Sequence, residues 1–161
     1  ARTMKLELKN IKHTAWASQE TYCYQASLYV DGKPVAVVSN DGHGGPDREY
    51  PHSKFKGDYR ATMSEVHDYF KSLPKIPSPL FDDGYSQDLD GWCFVQVNDW
   101  LTARELKGKM RNNILFQKEG TAGIFGTKYY PTETDGGWLN GRRILNDLPF
   151  ADALVIWKET A

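Results

Sequence analysis

The dipeptide Asp31-Gly32 constrains this chain more than any other feature. A two-residue type I′ loop needs positive φ at both positions, and Asp-Gly adopts that conformation with little strain. The pair sits between Cys23–Val30 and Lys33–Val38, runs rich in apolar and β-branched residues, so the stretch reads as an antiparallel hairpin. With Asp31 and Gly32 as the loop, Val30 faces Lys33, Leu28 faces Val35 and Ala26 faces Val37 on one side. The other side pairs Tyr29 with Pro34, Ser27 with Ala36 and Gln25 with Val38. Pro34 then falls where its missing N–H points away from the partner, which makes residues 33–39 an edge strand near the turn.

The segment Ser39-Asn40-Asp41-Gly42-His43-Gly44-Gly45-Pro46-Asp47 leaves the hairpin and cannot continue a regular strand. In one reading it is a tight exit loop, with Asn40 and Asp41 bonding to nearby backbone. In the other, the glycines let a ligand approach the backbone while polar side chains present themselves. Asn40, Asp41, His43 and Asp47 are accordingly the candidate binding residues.

Upstream, Met4, Leu6 and Leu8 alternate with Lys5, Glu7 and Lys9 as in a half-buried strand. Ile11 breaks the phase and predicts a bulge near Asn10. The N-terminal part is thus expected to be a three-stranded meander. Residues 46–58 are polar and proline-interrupted, hence loop. Tyr59, Met63, Val66, Phe70 and Leu73 recur at helical spacing, with Asp58 as cap and Pro74 as stop. Residues 74–86 read as a long connection, tacked to the core by Leu80 and Phe81 or offering Phe81 and Tyr85 as a binding lip. A second helix is predicted over Asp88–Lys107, closed by Gly108. Leu89, Cys93, Val97, Trp100 and Leu101 form its buried stripe, and Trp92 and Phe94 widen the apolar arc. Ile114–Phe116 and Ile124-Phe125 make a second hairpin about Glu119-Gly120, and residues 132–141 are loop. Arg143–Asn146 is a short strand. Asp147 then caps a last helix, with Pro149 in its first turn and Phe150, Leu154 and Trp157 on one face. The expected architecture is a single α+β domain spanning 1–161, an antiparallel sheet with two to three helices packed on one face.

A net charge of −1 over 161 residues argues against a strongly basic nucleic-acid binder and against an acidic mimic of nucleic acid. The charge is unevenly spread: acidic residues predominate from Asp41 to Asp99, basic ones from Arg104 to Arg143. Cys23 and Cys93 make neither a disulfide framework nor a CxxC zinc motif. No apolar run reaches the roughly 18–20 residues of a membrane span, and no signal-peptide core opens the chain. A cytoplasmic protein with reduced thiols, no membrane contact and no cofactor is expected.

Several chemistries can be weighed. Asp41, His43, Asp47 and His52 are metal-compatible side chains in a short stretch, and a metal-dependent hydrolase at Asp41 and His43 is one alternative. Loop spacing without a helical HExxH or a carboxylate pair does not define a centre, so no metal is expected. Cys23 with His13 or His43 lacks an orienting third group. Gly42–Gly45 fits neither phosphate-binding loop, because Pro46 and a polar loop follow where a helix should begin. Nucleic-acid binding is the stronger alternative: Lys107, Lys109, Arg111, Lys118, Lys128, Arg142 and Arg143 could form a basic surface, with Tyr129, Tyr130 and Trp138 to stack on bases. Protein recognition through exposed aromatic residues is favoured over all of these.

One segment adds context. Glu20, Thr21, Cys23, Ala26, Leu28, Tyr29 to Lys33 and Ser39 to Gly45 resemble the N-terminal part of small, mostly uncharacterised proteins of bacteriophages, prophages and other mobile elements. The resemblance covers about residues 5–47, with a fainter echo in Leu145-Asn146-Asp147 and the final helix. It implies a non-enzymatic module that binds and modulates a host protein, with defence systems among the targets.

Overall fold

The computed structural model describes residues 3–118, 123–128 and 142–160. The fold is α+β, and the chain divides into two compact units, one ending at Asn98 and one beginning at Asp99.

The first unit is built on a four-stranded antiparallel sheet in the order β1 (Leu6–His13), β2 (Cys23–Val30), β3 (Lys33–Asp41) and β4 (Arg48–Pro51). Asp31 and Gly32 have φ of 50° and 85°, as the type I′ loop requires. Asp31 also accepts from the Lys5 amide at 3.0 Å through its carboxylate, which fixes the entry of β1 beside the turn. The bulge expected in β1 lies between Lys9 and Lys12, with Asn10 at φ 55°. Asparagine tolerates that left-handed conformation better than most residues.

The hairpin register departs from simple alternation at one residue. Val30 pairs with Lys33 and Tyr29 with Pro34, but Leu28 pairs with Ala36, Ser27 with Val37, Ala26 with Val38 and Gln25 with Ser39. Val35 is the extra residue of a bulge next to Pro34. Because side chains alternate along a strand, this one-residue slip reverses the faces of everything beyond it. Ala36, Val38 and Asn40 therefore join Leu28, Ala26 and Tyr24 on the buried face, and Val37 does not.

Two further expectations are corrected. Residues 48–51, read as loop, form β4 and pair with Ser39–Ala36, so β3 is an edge only beside Pro34. The meander thus has four strands, and β3 runs on to Asp41.

Helix α1 (Tyr59–Ser72) starts as predicted, the Asp58 carboxylate accepting from the Ala61 amide at 3.0 Å. It buries Met63, Val66 and Phe70. Residues 74–86 are not a plain connection but a small hairpin of β5 (Ile76–Ser78) and β6 (Phe81–Tyr85). Helix α2 (Leu89–Asn112) continues through Gly108, five residues past its expected end. Gly108 has nothing near the position of a Cβ and no left-handed φ, so the helix simply passes through it. Leu89, Cys93 and Val97 complete the core of this unit.

The second unit contains β7 (Ile114–Lys118), β8 (Ile124–Thr127) and β9 (Arg142–Ile144) in the order β8-β7-β9, then α3 (Phe150–Thr160). The second hairpin is present as read. Leu106, Leu115, Leu145, Ala153 and Ile156 form its core, with Phe150, Leu154 and Trp157 packed against them. Asp147 lies in a 3-10 turn, Leu145–Asp147, and α3 begins at Phe150, where the Asp152 and Ala153 amides donate to the Pro149 carbonyl. Asn146 accepts from the Leu115 amide at 2.8 Å and donates to the Met110 and Asn113 carbonyls, both at 3.1 Å. One half-buried side chain thus ties the end of α2 to β7. The loop read over 132–141, the Glu119-Gly120 turn, Tyr129, Tyr130 and Trp138 lie outside the described residues.

Candidate binding surface

The glycine-rich loop is held from inside. Asn40, brought to the buried face by the Val35 bulge, is 8 % exposed. Its Oδ1 accepts from the Thr21 hydroxyl at 2.7 Å and the Gly42 amide at 2.8 Å. Its Nδ2 donates to the Gly45 carbonyl at 2.9 Å and to Asp47 at 3.0 Å. With two lone pairs and two N–H groups so engaged, the amide side chain uses its full hydrogen-bonding capacity.

Asp47 is the second anchor. Its carboxylate accepts from the Tyr24 hydroxyl at 2.5 Å, and its amide donates to Asp90 at 3.2 Å. Burial raises the Asp47 pKa, the bonds from Tyr24 and Asn40 pull it down, and Asp90 and Glu49 push it up again. Burial raises Tyr24 and Cys93 above their ordinary values as well. Cys93 is fully buried in the core, where its raised pKa disfavours the thiolate.

Of the four loop residues singled out from the sequence, the structure therefore turns two inward and leaves two outward. Asp41 and His43 are exposed, 3.9 Å apart, with Arg48 3.6 Å from Asp41. His52 is engaged elsewhere, its Nδ1 accepting from the Lys54 amide at 3.1 Å. Among the described residues no group of three or more His, Cys, Asp or Glu is placed to hold a metal ion. Cys23 is a free, half-buried thiol at the start of β2. Its amide donates to the Ser18 hydroxyl, which also donates to the Thr14 carbonyl and meets His13 Nε2 at 3.1 Å. That cluster closes the β1–β2 connection.

The loop also shapes its surroundings. Gly42, at φ 87°, receives at its carbonyl the amides of Gln19, Glu20 and Thr21, and a Cβ there would collide with the Ala17 carbonyl. The loop thereby fixes the backbone of the 19–21 segment. With His13, Ala15, Ser18, Tyr22 and Phe94, that segment lines a shallow pocket of about 330 Å³.

Phe94 links this pocket to a larger one. Tyr22 stacks on Phe94, ring centroids 5.2 Å apart and planes 14° apart, and its hydroxyl donates to Asn98 at 2.7 Å. On the other side Phe94 lines a groove of about 590 Å³ with Ile76, Tyr85, Trp92 and Val95. Ile76 and Tyr85 are cross-strand partners in the β5–β6 hairpin, so both point to the groove side. The apolar residues here are not buried: Phe94 is 54 % exposed, Val95 50 %, Phe81 60 % and Leu80 83 %. Trp16, beside Ala15 of the first pocket, is 86 % exposed. Leu80 and Phe81 thus do not tack the 74–86 segment to the core, and Phe94 does not extend the buried arc of α2.

Of these exposed residues, Phe94 and Val95 share the groove with Ile76 and Tyr85, and apolar surface gathered in this way is uncommon without a use for it. Sequence reading pointed to Phe81 and Tyr85 but missed Trp16, Phe94 and Val95. The one available signal was phase: Phe94 and Val95 fall off the Leu89–Cys93–Val97 stripe.

The basic segment looks different. Lys107 lies 4.9 Å from the Phe150 ring centroid and Lys109 5.6 Å from that of Trp157. Lys128 donates to the Asn112 carbonyl at 3.3 Å and Arg143 to Gln117 at 2.8 Å. Arg111 is exposed near the end of α2, whereas the side chains of Lys118 and Arg142 lie outside the described residues. Four of the cations proposed to meet phosphate are therefore engaged with their own unit. Among the described residues no helix is long and apolar enough to cross a membrane.

No family model matches the chain, and no curated protein or solved structure matches it.

Proposed function

We propose that this chain is a non-enzymatic binding module of phage or mobile-element origin that acts in the bacterial cytoplasm by engaging and modulating a host protein. Its binding surface is the apolar face of the first unit centred on Phe94. The observation that carries the reading is the run of exposed aromatic and aliphatic side chains from the Tyr22–Phe94 stack to the β5–β6 hairpin. Tyrosine, tryptophan and phenylalanine supply large contact area with few rotamers to freeze, which is why they anchor interfaces. The sequence resemblance supports the mobile-element context, and host defence proteins are the target class it suggests. The internal engagement of the basic residues favours this reading over nucleic-acid binding.

The test is affinity capture from bacterial lysate, with and without nuclease, with the wild-type chain and with Phe94→Ser, followed by reconstitution with the purified partner. One protein retained by wild type, resistant to high salt and lost by the variant, is the expected outcome. Retention that disappears with nuclease or is insensitive to Phe94 refutes the reading. An apolar interface resists salt, whereas phosphate contacts weaken steeply with it.

A further inference from the structure

The groove beside Phe94 is not uniformly apolar. Three rings line it, those of Tyr85, Trp92 and Phe94, with Ile76 and Val95 among them. Ser86, Gln87 and Asp88 bring oxygen acceptors to the same wall. The Trp92 amide donates to the Asp88 carbonyl, so Asp88, Trp92 and Val95 succeed one another on one face at the start of α2. The Asp88 carboxylate is held in place with one oxygen to spare. Its Oδ1 accepts from the Gly91 amide at 2.8 Å, and among the described residues Oδ2 has no hydrogen-bond partner. Gln87 Nε2 donates to the Pro74 carbonyl at 2.8 Å, which leaves the amide oxygen as its unused group.

No basic residue of this stretch answers the carboxylate. From Ile76 to Asn98 the sequence holds Asp82, Asp83, Asp88 and Asp90 and neither lysine nor arginine. Asp88 and Asp90 also outweigh the roughly half charge at the N-terminus of α2, so the wall stays negative. Elsewhere the chain lays its own cations over rings, Lys9 4.5 Å from Tyr29 and Arg104 4.6 Å from Trp100. Among the described residues the three groove rings carry none.

A partner that covers Phe94 takes Asp88 out of water as well, because both line one groove. An ionised carboxylate covered by apolar surface alone is heavily penalised unless a cation meets it. The rings and the spare acceptors set the kind of cation. A guanidinium is planar, weakly hydrated and always charged, and it stacks on aromatic faces while its several N–H groups donate outward. An ammonium is compact and strongly hydrated, and gives up more on leaving water. From these features we infer that the groove receives an arginine side chain of the partner protein, its guanidinium among the Tyr85, Trp92 and Phe94 rings and donating to Asp88 and Gln87. This rests on the binding-module reading and names the group that the partner presents. A groove of about 590 Å³ has room for that side chain and for an aliphatic neighbour against Ile76 and Val95.

The test titrates the isotope-labelled full chain with three capped tripeptides: Leu-Arg-Leu, Leu-Lys-Leu and Leu-citrulline-Leu. Citrulline keeps the size and shape of arginine without its charge. Binding is read from NMR shifts of the Trp92 indole N–H and the Gly91 to Val95 amides, up to about 10 mM peptide. The arginine peptide should move these signals saturably and bind more tightly than the lysine one. The citrulline peptide should bind about fivefold more weakly, the difference that one cation–π contact and one partly exposed ion pair supply. Asp88→Asn keeps a capping side chain and removes the charge, so it should leave the urea midpoint nearly unchanged and abolish the preference for arginine over citrulline. No saturable shift, equal binding of the arginine peptide and either of the others, or a preference that survives in Asp88→Asn overturns the inference. Self-association through Phe94 with no effect of the peptides would make a second copy the occupant and overturn it too. The two readings fail separately. A captured partner that needs Phe94 but binds Asp88→Asn as tightly as wild type refutes the arginine site and leaves the binding module standing. Absence of any Phe94-dependent partner refutes the binding module, and the peptides alone then decide the groove.

Discussion

Replacing Asn40 by alanine should cost this protein about 3 kcal/mol, far more than any change at the exposed His43. The figure comes from counting what the side chain does. It accepts from the Thr21 hydroxyl and the Gly42 amide and donates to the Gly45 carbonyl and the Asp47 carboxylate. Each neutral bond contributes about 1 kcal/mol net, and the one to the carboxylate about 1.5–3 kcal/mol. Water can re-solvate the partners nearest the surface, which brings the sum down to about 3 kcal/mol. The Gly42 amide is buried and gets no such help. His43→Ala removes only an exposed imidazole 3.9 Å from Asp41 and should stay within about 0.5 kcal/mol of wild type. Urea unfolding followed by circular dichroism measures both, with the midpoint of Asn40→Ala falling at an unchanged slope. A loss below about 1 kcal/mol for Asn40→Ala would refute the claim that the loop is anchored from within. A comparable loss at His43 would do the same.

Two further outcomes follow from the same cluster. Gly42→Ala should destabilise by about 2–3 kcal/mol, because the left-handed φ and the Ala17 carbonyl both oppose a Cβ; urea unfolding reads this, and a neutral substitution would show the loop to be adjustable. For Asp47 the folded-state pKa lies above the unfolded one, chiefly through burial. The stability tied to its protonated form is complete below the unfolded pKa and is lost as pH rises through the folded one. The stability of wild type relative to Asp47→Asn should therefore fall as pH rises above the ordinary carboxyl value of 3.8, and a difference that rises with pH would reverse the assigned sign.

The sequence was most informative where local chemistry decides structure. Asp31-Gly32 set the turn, Asp58 the start of α1, and the phase break at Ile11 the first bulge. It was misleading where one residue changes the register. Val35 is apolar and β-branched like its neighbours, so nothing in composition marks it as the bulged residue. Its slip moved Asn40 from an expected surface position to the buried face. That single event explains why Asn40 turned out to be an anchor, and the Tyr24 hydroxyl and Asp90 hold Asp47 beside it. Strand β4 was obscured because a four-residue edge strand ending in Pro51 carries almost no periodic signal. The β5–β6 hairpin was hidden by its prolines, which suggest irregular chain. The apolar surface around Phe94 was hardest to see, since an exposed phenylalanine and a buried one look alike in a sequence.

The most direct test of the account is the affinity of the purified partner for the wild-type chain, Phe94→Ser and His43→Ala, measured side by side by calorimetry. Burying a phenylalanine side chain contributes about 1.5–3 kcal/mol, so Phe94→Ser should weaken binding at least about tenfold, while His43→Ala should leave it nearly unchanged. The opposite pattern, with affinity lost at His43 and kept at Phe94, would place recognition on the glycine-rich loop and contradict the surface described above.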